Sequence, residues 1–400
     1  MKPLLSALLL SLALMLPAAD VQTSAVEDLL AEVGGAEPDL QRSLLAGIIQ
    51  GMLGQRSAQA PTAWAAMAPK LMDSSNARVR LSARHLGALF GDSAAVAALR
   101  ATVKDGAAPA VERRVALRAL LHVRVSGLAG DLQGLLSDAA IRPVVLRGLG
   151  ELDDAGTPAA ILAVYATLSV PERRDALGAL TSRIAYAKAL MAAVTAGTVP
   201  ARDLTASTLR QLVLLADPEL AAFVAAHGGG NEKEPLVEVE RLKGVVAATP
   251  HGDPARGRVI FERTCAQCHL LFGAGGNLGP DLTGLNRPDL DWVLKNVLDP
   301  SIIMGKEQQV VVARSKDGRV VAGMRREDSS AHIAVQNESG TFVIPRSEII
   351  ALEETNRSTM PDGLLRAFTP AELQDFLAYL QGTAQVDAAQ PAITQSPTNK

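Results

Sequence analysis

The sequence predicts a mainly α protein in two parts: an α-solenoid, then a second all-α domain carrying a small antiparallel β insertion. Three observations lead there. Residues 76–226 are rich in Ala and Leu, and their leucines recur at helical spacing within a longer period of about 30 residues. Residues 307–353 alternate β-branched and polar side chains around turn dipeptides. Helix-cap residues and N-terminal prolines bracket the remaining apolar stretches. Length agrees, since 400 residues exceed one ordinary domain at roughly 100–200 residues each. A chain that is 48% hydrophobic and 20% charged is expected to fold, and its net charge of -3 lacks the basic surplus that a nucleic-acid partner requires.

Residues 1–19 read as a signal peptide: Lys2, an apolar run over 4–16, then Pro17, Ala18 and Ala19. The run is shorter than the roughly 20 apolar residues that span a bilayer. The mature chain is therefore expected to have no transmembrane segment, and to be membrane-anchored only if the leader is not cleaved. No cysteine lies near the leader, which excludes a lipid-anchored N-terminus. Export to the periplasm or another oxidising space follows as the expected location.

Aligning "ARHLGAL", "VALRALL", "VVLRGLG", "DALGALT" and "STLRQLV" places Leu86, Leu117, Leu146, Leu177 and Leu209 in register, at intervals of 31, 29, 31 and 32 residues. A second leucine follows each anchor three positions later, at Leu89, Leu120, Leu149, Leu180 and Leu212, which puts the pair on one helix face. Such a period accommodates two short helices and two turns, and stacked units of this kind form a solenoid. The segment resembles HEAT-type repeats, with units shorter than usual. The expected solenoid covers 26–226, with 26–75 as an atypical cap. Residues 227–251 are Gly-rich and then charged, and are expected to be a linker containing a helix over 236–246. Asp253 and Pro254 start the second domain, 252–382, and the polar residues 383–400 are expected to be a disordered tail.

Both cysteines of the chain lie in Cys265-Ala266-Gln267-Cys268-His269. A structural zinc site needs four ligands, and no second cysteine pair or finger-spaced histidine pair exists. A redox dithiol of the thioredoxin kind follows a strand, whereas "DPARGRVIFERTCAQCH" is a capped helix running into the motif. Covalent haem needs two thiols on one turn and an imidazole directly after them. One haem c is therefore expected, with Cys265 and Cys268 as thioether ligands and His269 as an axial iron ligand. Met360, in "STMPDG" before a helix that Thr369 and Glu372 can cap, is the expected second axial ligand, ahead of Met304, Met324, His332 and His251. Arg287 and Trp292 are candidate propionate partners.

With "GRVIFERTCAQCH", "GPDLTG", "STMP" and "LQDFLAYL", residues 252–382 resemble the class I cytochromes c. The resemblance implies that Pro280 accepts the ring N–H of His269, and that Gly257 and Phe261 meet the Phe376, Tyr379 and Leu380 face. "LFGAGGNLGPDLTGLNRPDLDWVLKNVLDPS", "SKDGRVVAG" and "STMPDGLL" are closer still to a haem-binding domain of planctomycete and verrucomicrobial secreted proteins. Members of that group join it to helical repeats and to a propeller dehydrogenase, for which this sequence has no room. The implied role is that of an exported monohaem electron carrier without catalytic residues of its own. Its repeats would dock a redox protein, either a dehydrogenase or a terminal acceptor. The alternatives are the cytochrome subunit of a periplasmic dehydrogenase complex, or a five-coordinate haem gas sensor or peroxidase-like catalyst.

Overall fold

The computed structural model describes residues 18–227, 235–301, 309–360 and 364–389. The apolar core of the leader, Met304 and residues 390–400 of the expected tail lie outside them. The chain is mainly helical with antiparallel sheet. It divides into two compact units: Met1–Ala179 with Ser329–Ile333 and Val343–Ser347, and Leu180–Asp328 with Ala334–Phe342 and Glu348–Lys400.

The first unit is a succession of short helices: α1 (Ala18–Gly35), α2 (Pro38–Gly51), α3 (Thr62–Met72), α4 (Ala77–Leu89), α5 (Ser93–Lys104), α6 (Ala110–Val123), α7 (Leu128–Gln133), α8 (Arg142–Glu151), α9 (Thr157–Val164) and α10 (Val170–Leu180). Side-chain caps start them where the sequence offers one. The Asn76 side chain accepts from the Arg78 and Val79 amides, and Asp92 does the same for Ala94 and Ala95. Each of the aligned leucines except Leu209 is buried, so the period near 30 marks the inward face. A ladder of ion pairs recurs at a similar separation: Arg80 to Glu112 (3.4 Å), Arg113 to Asp138 (2.5 Å), Arg142 to Glu172 (3.1 Å) and Arg147 to Asp175 (3.0 Å). Arg113 and Glu172 are buried, where a partner is obligatory because an unpaired charge is costly. The expected cap over 26–75 has its own core of Leu30, Leu45, Ile48, Trp64 and Leu71, closed by Leu86 and Leu89 of α4.

The second unit begins inside the helical segment, with α11 (Ile184–Thr195), α12 (Ala206–Leu214) and α13 (Pro218–Ala226). Next come α14 (Pro235–Ala248), α15 (Pro254–Thr264), a two-residue ribbon of β1 (Leu270–Leu271) and β2 (Ala274–Gly275), and α16 (Leu290–Leu298). A five-stranded antiparallel sheet follows: β3 (Gln309–Ser315), β4 (Val320–Asp328), β5 (His332–Asn337), β6 (Gly340–Pro345) and β7 (Ile349–Ser358), in the order β6-β5-β4-β3-β7. The last helix is α17 (Pro370–Leu380), with the Thr369 and Glu372 capping box that the sequence predicts.

Three expectations need correction. The stretch assigned to a linker contributes α14, and its Val239 and Leu242 join one core with Phe261, Leu294, Phe376 and Tyr379. The β insertion runs past 353, because β7 continues to Ser358 and pairs it with Gln309 across a register shift. Residues 383–389 fold back on α15: the Ala389 amide donates to Ala255 O (3.1 Å), and the Tyr379 hydroxyl donates to the Gln385 side chain (2.7 Å).

The crossing of α15 and α17 frames this core. A Cβ on Gly257 would lie 1.8 Å from Asp375 O, so the two backbones touch where the glycine stands. Asp375 closes the contact by accepting from the Asp253 amide (2.7 Å) and from Arg256 Nε (2.7 Å) and Nη2 (2.9 Å). Those bonds hold its carboxyl below the usual range.

Candidate functional site

The motif is the C-terminal unwinding of α15. The Cys265 amide donates to Phe261 O (2.8 Å), and the Cys268 and His269 amides both donate to Cys265 O (3.0 Å each), which packs both thiols and the imidazole into one turn. Neither cysteine is in a disulfide, and each is half-buried. Burial pushes the Cys265 thiol up to about 11, even with the Thr264 hydroxyl at 3.4 Å. A thiol that stays protonated at neutral pH is a poor redox dithiol, since thiolate is the reactive form. Among the described residues no group of three or more His, Cys, Asp or Glu can hold a metal ion, so no zinc set completes the pair.

The loop after His269 closes around it. The Gly276 amide donates to Ala266 O and the Gly279 amide to Cys268 O, each at 2.7 Å, and the Leu282 amide donates to Leu270 O at 2.8 Å. Two glycines are needed on steric grounds. Gly275 has φ 125°, and a Cβ there would sit 2.1 Å from His269 O; at Gly279 a Cβ would sit 2.5 Å from His269 Cε1. The backbone thus lies flat against the imidazole. His269 Nδ1 donates to Pro280 O at 2.9 Å. A carbonyl only accepts, so Nδ1 carries the proton and Nε2 keeps its lone pair. Burial lowers the pKa of His269, which keeps the ring neutral. A neutral, oriented imidazole with a free Nε2 lone pair is what an iron ligand requires.

Arg287 is buried at 7% exposure. Its Nη1 donates to Leu380 O and to Gly382 O (2.9 Å), Nη2 donates to Thr283 O (3.0 Å), and the guanidinium lies 4.9 Å from the Phe272 ring centroid. Both terminal nitrogens of this candidate propionate partner serve backbone carbonyls. Nε is buried with no hydrogen-bond partner. Trp292 lies in the first turn of α16, which the Asp289 side chain caps through the Trp292 amide (3.1 Å), and its half-buried ring packs on the core of Phe261 and Phe376.

Met360 lies two residues past the end of β7 and is half-buried. Its amide donates to Ser358 Oγ (3.2 Å), and its carbonyl accepts from Arg210 Nη2 (2.8 Å). Residues 361–363 are outside the described set, so the expected loop is seen only at its entry. Of the competing ligands, Met324 is buried in β4 opposite Val310, His332 is buried in β5 beside Ser329, and His251 is exposed. Sequence reasoning missed Arg210, which lies 150 residues from its partner and carries no local motif.

No protein-family model matches the chain. Local similarity exists to curated proteins called cytochrome c: from Ulva intestinalis, 49% identical over 39 residues; from Chlamydomonas reinhardtii, 52% over 40; and from Ginkgo biloba, 51% over 37. These matches cover 10%, 10% and 9% of this chain and 35%, 36% and 33% of the relatives. The chain thus spans about a third of the length of each curated relative it matches. It contains a cytochrome c-like segment.

The residues present fit a covalently held haem. Two thiols outside any disulfide share one turn with an imidazole whose second nitrogen is unprotonated, and a glycine cradle leaves no room for a side chain beside that ring. The buried Arg287 Nε is an orphaned donor of the kind that a carboxylate satisfies.

Proposed function

We propose that the chain is an exported monohaem c-type cytochrome that carries single electrons. Cys265 and Cys268 would hold the porphyrin as thioethers, while His269 and Met360 would hold the iron. When bound, the group supplies a reversible Fe(III)/Fe(II) couple. The protein's own residues bind and tune it. Pro280 fixes the His269 tautomer, Gly279 lets the backbone pack against the ring, and the thioether of Met360, soft and neutral, favours the reduced state. The helical repeats, read as a solenoid, would dock a dehydrogenase or a terminal acceptor. The leader pattern supports export, and no helix among the described residues is long and apolar enough to cross a membrane.

The observation that carries this reading is the 2.9 Å bond from His269 Nδ1 to Pro280 O, which orients the histidine of a CxxCH turn as a ligand. The test is expression with a c-type maturation system, followed by denaturation and extraction. Haem is expected to stay on the polypeptide and to be extractable from the Cys265→Ser, Cys268→Ser double variant. Freely extractable haem in the parent chain would refute covalent attachment. A high-spin ferric spectrum in the parent would refute the carrier and favour a five-coordinate sensor or catalyst.

A further inference from the structure

We infer that Arg210, on helix α12, is the positioning residue for the iron's methionine ligand, and that α12 thereby belongs to the redox site; this rests on the reading of Met360 as a ligand. Arg210 Nη1 donates to Ser358 O (2.7 Å) and Thr359 O (3.4 Å), and Nη2 donates to Met360 O (2.8 Å). One guanidinium thus spans three successive carbonyls at the point where β7 ends and the ladder no longer supplies donors. A planar, permanently charged fork fixes the peptide planes it bridges, and a half-buried one does so more firmly than an exposed one. Ser358 supports the same turn: its amide donates to Ser301 Oγ (3.1 Å) and its hydroxyl accepts from the Met360 amide (3.2 Å).

The fork belongs to a seam between α12 and the sheet. Gln211 Nε2 donates to Val320 O (2.9 Å), and Arg314 Nη2 donates to Leu214 O (2.9 Å). Those two bonds reach β3 and β4, whereas those of Arg210 reach residues 358–360. The seam can therefore be cut at two places with different expected results.

The haem-loaded full-length chain is titrated in the ferric state with imidazole, a neutral ligand that displaces methionine from iron, while the far-red band of methionine-bound ferric haem is followed. Imidazole binding is expected to tighten about tenfold in Arg210→Ala, equivalent to ~1.4 kcal/mol of lost ligand-loop support. In Arg314→Ala, which cuts the seam away from Met360, it is expected to match the parent. Equal affinity in the parent and Arg210→Ala, with the band present in both, would overturn the positioning role and leave the ligand reading intact. Equal tightening in Arg314→Ala would overturn it too, by showing a general effect of the seam. A parent without the band, unchanged in Met360→Ala, would bring down the ligand reading and this inference together. Should Arg210→Ala not fold, Arg210→Lys keeps the charge and loses the fork. A several-fold tightening is then expected, and none would overturn the role of the fork.

Discussion

A hydrogen atom at the α-carbon of Gly279 sets how closely the chain can approach the His269 ring. A Cβ in its place would lie between 2.5 and 3.0 Å from three ring atoms. Gly279→Ala is therefore expected to push the imidazole off the Pro280 carbonyl, at a cost of about 1–3 kcal/mol, the range for overpacking a closed site. Urea unfolding of the apo chain and the yield of covalently bound haem measure this, and an unchanged midpoint with unchanged yield would refute it. A second residue-scale expectation concerns the first unit. His85 Nε2 and His122 Nδ1 are 2.8 Å apart, and burial together with the facing His122 pushes His85 from 6.5 down to about 3. Between those values the unfolded chain holds a proton that folded His85 refuses. Stability is thus complete above the ordinary histidine pKa and is lost as the pH falls toward 3. His85→Leu is expected to flatten the acid branch of the stability curve, measured as urea midpoints at neutral and acidic pH. An identical slope in the variant would sink the assignment. At this scale the sequence was informative wherever chemistry is local: Cys265, Cys268, His269 and Pro280 lie within sixteen positions. It was silent on Arg210 and on the carbonyls that Arg287 serves, because both are set by tertiary packing.

Among the elements, the crossing of α15 and α17 is the most exposed to a single change. Gly257→Ala places a methyl inside the α17 backbone and is expected to destabilise the second unit by about 3 kcal/mol, the upper end for an inserted methyl group. Asp375→Asn keeps the volume but weakens the charge-assisted bonds to Arg256, with an expected loss of about 1–3 kcal/mol. Denaturant titration of both variants checks the order, and Asp375→Asn costing more than Gly257→Ala would contradict it. The helical elements were legible because apolar period, caps and N-terminal prolines act within a few residues, and the buried leucine anchors carry that signal directly. The extent of β7 was not legible. "TNRS" is polar, and its pairing with β3 depends on a register shift that no local pattern announces. For α14 the helix was readable, but its place in the core was not, since Val239 and Leu242 find their partners on α15, α16 and α17.

For the whole molecule, the division between units falls after Ala179, within the run of repeats, so α11, α12 and α13 belong with the cytochrome-like part. No feature of the sequence marks that point. The repeat continues through it with Leu180 and Leu209, and the seam that draws α12 to the sheet is made of side-chain bonds to main-chain oxygens far along the chain. Haem loading is accordingly expected to raise hydrogen-exchange protection in Ile184–Thr195 and Ala206–Leu214 and to leave Ala77–Leu89 unchanged. Equal protection gains in all three helices, or none in the first two, would show that the unit boundary has no thermodynamic meaning. The placement of Met360 has a further consequence under the proposed function. A thioether carried two residues beyond a five-stranded sheet, on a backbone whose carbonyl is clamped, would have little freedom to relocate when the charge beside it changes by one. Little nuclear rearrangement would then accompany the transfer, so the reorganisation energy would be small and electrons would pass quickly between partners of nearly equal potential.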